Sequence, residues 1–147
     1  MDETPNLDAA IDGIYERLDK VGGDPMNLPE EMRPIALLYT FQAMVDNGGF
    51  RYPMEADFPF TPPYSIFVDA YRAIGAESAA SLLEDSLARF PMSAPHLDVE
   101  GRNTFMDLLD EEDPFFLNGD KVCGDESVWQ QMEAYVTQRP AVFGLTE

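Results

Sequence analysis

The stretch IALLYTFQAMVDNGGF, Ile35–Phe50, decides how the rest of the chain reads. From Ile35 to Val45 it is apolar on most sides, carrying Leu37, Leu38, Phe41, Met44 and Val45. A helix of that kind has almost no face to give to water, so it belongs in the middle of its domain. Asn47-Gly48 ends it. The expected ending is a left-handed cap on Asn47 or Gly48, with Phe50 folding back onto the last turn and Arg51 beside the negative end of the helix dipole. A phosphate cradle would place its glycines at a helix N-terminus and follow them with Lys-Ser or Lys-Thr. Here Gly48 and Gly49 stand at a C-terminus and no such pair follows. An Asn-Gly hairpin turn needs alternating strands on both sides, and the period before Asn47 is helical.

Outward from this segment the period stays helical. On the N-terminal side Leu7, Ile11, Ile14, Leu18 and Val21 recur at spacings of three and four, opposite Asp8, Asp12, Glu16 and Asp19. Gly22-Gly23 stops that helix. The central helix is expected to start near Asn27 as N-cap, with Pro29 in the first turn and Glu30 and Glu31 near the positive end of the dipole. Pro34 fits only close to a helix start, which argues for a later one.

On the C-terminal side RYPMEADFPFTPP, residues 51–63, has no helical period and reads as a loop packed down by Phe58 and Phe60. Thr61 is the expected cap of a third helix, with Pro62 or Pro63 in its first turn and a stripe of Tyr64, Phe67, Val68, Tyr71 and Ile74. Gly75 breaks it. A fourth helix follows on Ala79, Leu82, Leu83, Ser86, Leu87 and Phe90, stopped by Pro91. A fifth runs from about Asp98 to Leu109 on Val99, Phe105, Leu108 and Leu109. DEEDPFFLNGDKVCGDE, residues 110–126, reads as an acidic loop. The last helix starts near Asp125 or Ser127, carries Val128, Trp129, Met132, Tyr135 and Val136, and ends at Arg139-Pro140. No segment alternates with period two. The expectation is an all-α fold: one compact domain over residues 1–147, a bundle of about six helices with short loops.

Charge separates the function classes. The chain has 28 acidic residues against 9 Lys plus Arg, for a formal charge of −19. A field of that sign repels nucleic acid and anionic membrane and attracts basic protein surfaces. No run of 18 apolar residues exists to span a bilayer. The stretch MDETPNLDAAID is acidic without an apolar core, so it is not expected to be a secretory signal. Cys123 is the single cysteine, which leaves no internal disulfide. These features point to the cytoplasm.

No catalytic constellation or cofactor motif stands out. His96 is the only histidine, and it lies 27 positions from Cys123 with nothing in the sequence to join them. Carboxylates around Cys123 would raise its pKa and blunt it as a nucleophile. No stretch has the spacing of an EF-hand. The carboxylates are more informative as a surface. Asp107, Asp110 and Glu111 fall at i, i+3 and i+4, which on a helix is one face, and Glu112 and Asp113 extend the patch. Asp8, Asp12, Glu16 and Asp19 repeat that geometry. Rows of regularly spaced negative charge, with only Lys20 and Lys121 as lysines, resemble a nucleic-acid backbone.

Four elements occur in order: VDNGGFRYPM, AYRAIGAESAASLLEDSLARFP, LLDEEDPFF and WQQMEAYVTQRPAVF. In that order they resemble the DNA mimic protein 19-like family. The matching positions are Asn47, Gly48, Gly49 and Phe50; Ile74, Gly75 and Ala76; Leu109-Asp110 with Phe115-Phe116; and Tyr135 to Phe143, so the resemblance covers residues 30 to 143. The chain departs from the family at Arg51-Tyr52-Pro53, where a Gln-Tyr-Phe-like triplet is usual, and in the Pro-rich loop that follows. The resemblance implies an all-helical acidic fold, binding to a DNA-binding protein in place of DNA, and a homodimer.

The expected function is therefore that of an acidic, non-enzymatic protein-binding domain. Its partner would be a basic protein such as a transcription factor, with no direct contact to nucleic acid or membrane. The alternatives are an immunity-type or other acidic interaction protein that does not imitate DNA, and an acidic soluble domain adapted to high salt.

Overall fold

The computed structural model describes residues 3–145; Met1 and Asp2 of the acidic N-terminal stretch lie outside the described residues. The chain is all-α, as its periodicity predicts, with no strand among the described residues. The described residues form eight α-helices in the order α1 (Pro5–Lys20), α2 (Arg33–Gly48), α3 (Arg51–Glu55), α4 (Ser65–Ala73), α5 (Glu77–Leu87), α6 (Val99–Leu108), α7 (Pro114–Val122) and α8 (Glu126–Thr137). Short 3-10 turns occupy Pro25–Asn27, Glu30–Met32 and Pro95–Leu97.

The central position of α2 follows from its composition. Ile35, Leu38, Phe41 and Val45 are fully buried, and α3, α4 and α7 all pack against it. Phe41 stacks on Phe67 of α4 at 4.4 Å between ring centroids. The α4 stripe of Tyr64, Phe67, Val68, Tyr71 and Ile74 is buried throughout. Helix α1 turns Leu7, Ala10, Ile11 and Ile14 inward and packs on α8. There Glu133 of α8 accepts from the backbone N–H groups of Asn6 (3.3 Å) and Leu7 (2.8 Å). A carboxylate supplied by another helix thus serves orphan donors in the first turn of α1.

Two helices form in segments read as loops. Helix α7 lies inside the expected acidic loop. Asp113 accepts from Phe115 N at 2.9 Å as its N-cap, and Pro114 holds the first position. Its inward positions are Phe115, Asn118, Gly119 and Val122. Two of these four are not apolar, so the helical period is hidden. Helix α3 is a five-residue element inside the expected Pro-rich loop, held by the burial of Pro53 and Met54.

Several starts and faces differ from expectation. Asn27 and Pro29 do not open the central helix; Asp24 caps the turn Pro25–Asn27 instead, and α2 begins at Arg33 with Pro34 in its first turn. Thr61 does not cap α4, which starts at Ser65; Thr61 and Phe60 have φ of 41° and 70°. On α6 half of the expected stripe holds: Phe105 and Leu109 pack against the core. Val99 and Leu108 are exposed, and the buried residues are Arg102 and Met106. Arg102 turns that face inward because its guanidinium forks onto backbone carbonyls. It donates to Met54 O (2.8 Å), Pro95 O (2.7 Å) and Ala56 O (3.3 Å), and to the Asp57 carboxylate (3.1 Å). A planar five-donor group can satisfy several loop carbonyls at once, which no apolar side chain can do.

Candidate functional site

Which carboxylates are free to meet a partner depends on where the nine cations go. Four arginines are engaged in ion pairs within the fold. Arg51 pairs with Glu55 and Asp107, Arg72 with Glu77 and Glu84, Arg89 with Asp113, and Arg102 with Asp57. Arg139 lies 3.7 Å from the centre of the Tyr135 ring and donates to Tyr135 O. Arg33 donates to Leu28 O.

This distribution dissolves one of the two expected acidic rows. Helix α6 ends at Leu108, so Asp107 is helical but Asp110 and Glu111 are not, and the three do not share a helix face. Asp107 is paired to Arg51. Asp110 closes a turn by accepting from Glu112 N at 2.8 Å. Asp113 is spent on capping α7 and on Arg89. The Phe115 N–H bond, with Arg89 behind it, holds the Asp113 carboxyl below the usual carboxylate range. Asp110, Glu111 and Glu112 are exposed and have no ion-pair partner among the described residues, and of these Glu111 and Glu112 have no hydrogen bond to the side chain either.

The α1 row survives. Asp8, Asp12, Glu16 and Asp19 are all exposed on one regular helix. Thr4 Oγ1 donates to Asp8 at 3.3 Å, and no ion pair engages the four among the described residues. At 1.5 Å rise per residue the row spans roughly 16 Å. Arg17 sits on the far side of the helix, while Lys20, at i+4 from Glu16, borders the C-terminal end of the row without forming an ion pair among the described residues. The row stands beside α2: burial raises the Tyr39 phenol above its ordinary value, and the Asp8 and Asp12 carboxylates add to that rise.

Sequence reasoning missed a third set. Glu30, Glu31 and Asp69 are exposed and have no side-chain partner among the described residues, and they line one groove. Glu30 and Glu31 read as dipole partners of a helix that in fact starts later. Asp69 has Arg72 three residues on, but Arg72 turns to Glu77 and Glu84. Asp69 itself lies on the exposed face of α4, opposite the apolar stripe, and nothing in the sequence joins it to Glu30 and Glu31.

The Asn47–Phe50 element is a structural elbow between α2 and α3. Asn47 and Gly48 remain in the helix, so neither is the left-handed cap; Gly49 is the cap, at φ 64° and ψ −160°. That region is essentially restricted to glycine. Gly49 N closes on Val45 O at 2.7 Å, and Asn47 Nδ2 donates to Ala43 O. Phe50 does fold inward and is buried. Arg51, expected beside the end of the dipole, opens α3 and reaches Glu55 and Asp107. Next to the elbow Asp46 gathers α2, the α7–α8 turn and α8. Its carboxylate accepts from Gln42 Nε2 (2.8 Å), Gly124 N (2.8 Å) and Trp129 Nε1 (2.9 Å). Tyr71 OH donates to Gln42 Oε1 at 2.6 Å. Gly75, at φ 87°, ends α4 with its own N–H on Arg72 O and that of Ala76 on Tyr71 O. The glycines and the Phe of the motif therefore build the fold.

His96 lies edge-on to Tyr64, and Cys123 Sγ is 3.4 Å from Asp46 O. The two residues have different neighbours and form no pair. Among the described residues no group of three or more His, Cys, Asp or Glu is arranged to hold a metal ion, and no helix is long and apolar enough to cross a membrane.

A protein-family model described as DMP19-like protein matches residues 26–139. No curated protein and no solved structure matches the chain. The matched residues take in the elbow, the Ile74-Gly75-Ala76 turn, α7 and α8. Helix α1 with its acidic row precedes them.

Proposed function

The chain belongs to the DMP19-like protein family, and from that premise we propose that it is a DNA mimic: an acidic protein-binding domain that occupies the basic surface of a DNA-binding protein such as a transcription factor. It acts as one domain, in the cytoplasm, by binding rather than catalysis, and as a homodimer.

The observation that carries this reading is the α1 row. Asp8, Asp12, Glu16 and Asp19 present four charges along one helix, exposed and without an ion-pair partner among the described residues. Their mean spacing of roughly 5 Å approaches the 3.4 Å per charge of a single DNA strand along its axis. A basic groove built to release counterions from phosphates meets the same electrostatic pattern here. Glu111 and Glu112, on the loop before α7, add a smaller acidic point.

The test is capture of basic proteins from lysate on the immobilised chain at low salt, with and without duplex DNA as competitor. The reading expects a DNA-binding protein to be retained, released by DNA, and released again as salt rises. It also expects retention to fail for the variant Asp8→Asn, Asp12→Asn, Glu16→Gln, Asp19→Asn. Retention that ignores both DNA and this variant overturns it.

A further inference from the structure

One surface combines features that the acidic row lacks. Two adjoining depressions, of about 570 and 260 Å³, share Met26, Leu37 and Ile66 on their walls. Together they make a continuous groove between α1, α2 and α4. Its floor is apolar: Leu37, Ile66 and Ala70 on one side, Leu18, Ala36 and Phe58 on the other. Met26 (37% exposed) and Tyr15 (48% exposed) stand open to solvent at its edges. Pro59 and Pro62 close one end, and the Phe60 between them holds a left-handed backbone with its ring exposed.

Both banks of the groove are acidic. On the α4 side stand Glu30, Glu31 and Asp69, none with a side-chain partner among the described residues. On the α1 side Asp12 and Asp19 flank Tyr15 at i−3 and i+4, so they share its face. Among the described residues Arg33 is the one basic residue lining either depression, and its Nε is already donated to Leu28 O.

An apolar floor between unpaired carboxylates selects its occupant by charge and shape together. A purely basic surface would leave the floor wet, and a purely apolar segment would meet two rows of like charge with nothing to offer them. We propose that this groove binds an amphipathic basic segment of a partner protein, a helix whose apolar stripe is bordered by lysines or arginines. The apolar side chains seat against Leu37, Ile66 and Met26, where the unbranched thioether adapts to irregular shapes. The cations reach Glu30, Glu31 and Asp69 on one bank and Asp12 and Asp19 on the other. This is helix-in-groove recognition, distinct from imitation of a phosphate backbone. It shares Asp12 and Asp19 with the α1 row but is separable from the DNA-mimic reading, because its anchor is apolar burial.

The experiment uses the full chain and two fluorescein-labelled peptides with equal numbers of lysines. One is a leucine/lysine helix with leucines at i, i+3, i+4 and i+7; in the other every leucine is serine. In about 0.5 M salt, where exposed charges are largely screened, the leucine peptide is expected to bind roughly tenfold or more tighter than the serine peptide. The neutral pair Met26→Ser and Ala73→Trp, both at exposed groove positions, is expected to erase that difference while leaving the serine peptide's affinity unchanged. Amide chemical-shift mapping on the unaltered chain reads the same site without any variant. Shifts centred on Met26, Leu37, Ile66 and Ala73 support the groove. Equal binding of the two peptides, or shifts centred elsewhere, overturn it. Either failure leaves the DNA-competition result on the α1 row untouched.

Discussion

A Cβ added to Gly119 would stand 2.5 Å from the backbone nitrogen of Phe50, closer than real Cβ contacts come, so the absence of a side chain on α7 is what lets the α2–α3 elbow seat against it. The same virtual atom would lie 3.0 Å from Phe50 Cγ. Phe50 is fully buried and rigid, so the contact cannot be relieved by rotating a flexible tip. Gly119→Ala must push α7 away from the elbow, and a loss of about 1–3 kcal/mol is expected, as for overpacked cores. Gly124→Ala is a useful contrast. It too changes a glycine, but with nothing within 4 Å of the added Cβ its cost comes from a φ of 72° alone. Urea denaturation of the two variants reads the difference. A Gly119→Ala chain as stable as the parent refutes the close-packing account.

Asp46 is expected to be the most sensitive polar residue outside the apolar core. Asp46→Ala leaves three donors without their acceptor: Gln42 Nε2, Gly124 N and Trp129 Nε1. Unsatisfied donors cost about 1–3 kcal/mol each when they stay dry, and some will find water here because Asp46 is half-buried. A total of about 2–4 kcal/mol is expected. Trp129→Phe removes one of the three bonds and keeps most of the ring, so about 1 kcal/mol is expected. Trp129 is the only tryptophan, so its fluorescence in the Asp46→Ala chain reports directly whether the indole loses its partner. An unchanged spectrum would count against the network.

The Asp113 cap should make part of the stability depend on acid. Its folded carboxyl titrates below its unfolded value, because it accepts the Phe115 N–H bond and faces Arg89. A group depressed in this way contributes stability at pH values above its unfolded pKa and loses it as pH falls through the folded one. Asp113→Asn keeps a side chain able to cap α7 but has no charge to titrate. The parent should exceed the variant in Tm at pH 6, and the gap should shrink below about pH 4. A gap that persists unchanged at pH 2.5 would mean that the carboxylate's charge is not its source.

The α1 row should be a burden on the fold. Like charges at i, i+4 cost about 0.2–0.5 kcal/mol per pair on an exposed helix. Asp8–Asp12 and Asp12–Glu16 are such pairs, and Asp19 lies three residues beyond Glu16. Neutralising all four residues to amides relieves these pairs but also removes the Glu16–Lys20 i, i+4 attraction and the first-turn charge of Asp8, so a net gain of about 0–1 kcal/mol is expected at low salt, fading as salt screens the parent. Thermal melts at two ionic strengths test this. A variant less stable than the parent would show that the carboxylates are structural. The expected combination of equal or higher stability with lost partner binding would mark them as functional.

Periodicity carried much of the fold. The stripes Leu7–Ile14, Tyr64–Ile74 and Val128–Val136 each put three to five apolar residues on one face, and burial against any neighbour turns that face inward. Helix α7 escaped because its inward positions include Asn118 and Gly119, chosen to fit Ser86 and Phe50 rather than for hydrophobicity. Half of the stripe expected on α6, Val99 and Leu108, is exposed for the converse reason. Arg102 goes inward because loop carbonyls 7 to 48 residues away need its donors.

By itself the sequence determined an all-α chain of charge −19, the exposed acidic row on α1 and the resemblance that placed the family. These depend on local period and composition, which act within one helix. Only the tertiary structure decided which carboxylates remain free. Arg51 reaches Asp107 across 56 residues and Arg89 reaches Asp113 across 24, so both ends of the acidic group expected at Asp107–Asp113 are paired, while Glu30, Glu31 and Asp69 come together around a groove. An ion pair needs its two charges within a few ångströms, and only the folded chain sets that distance.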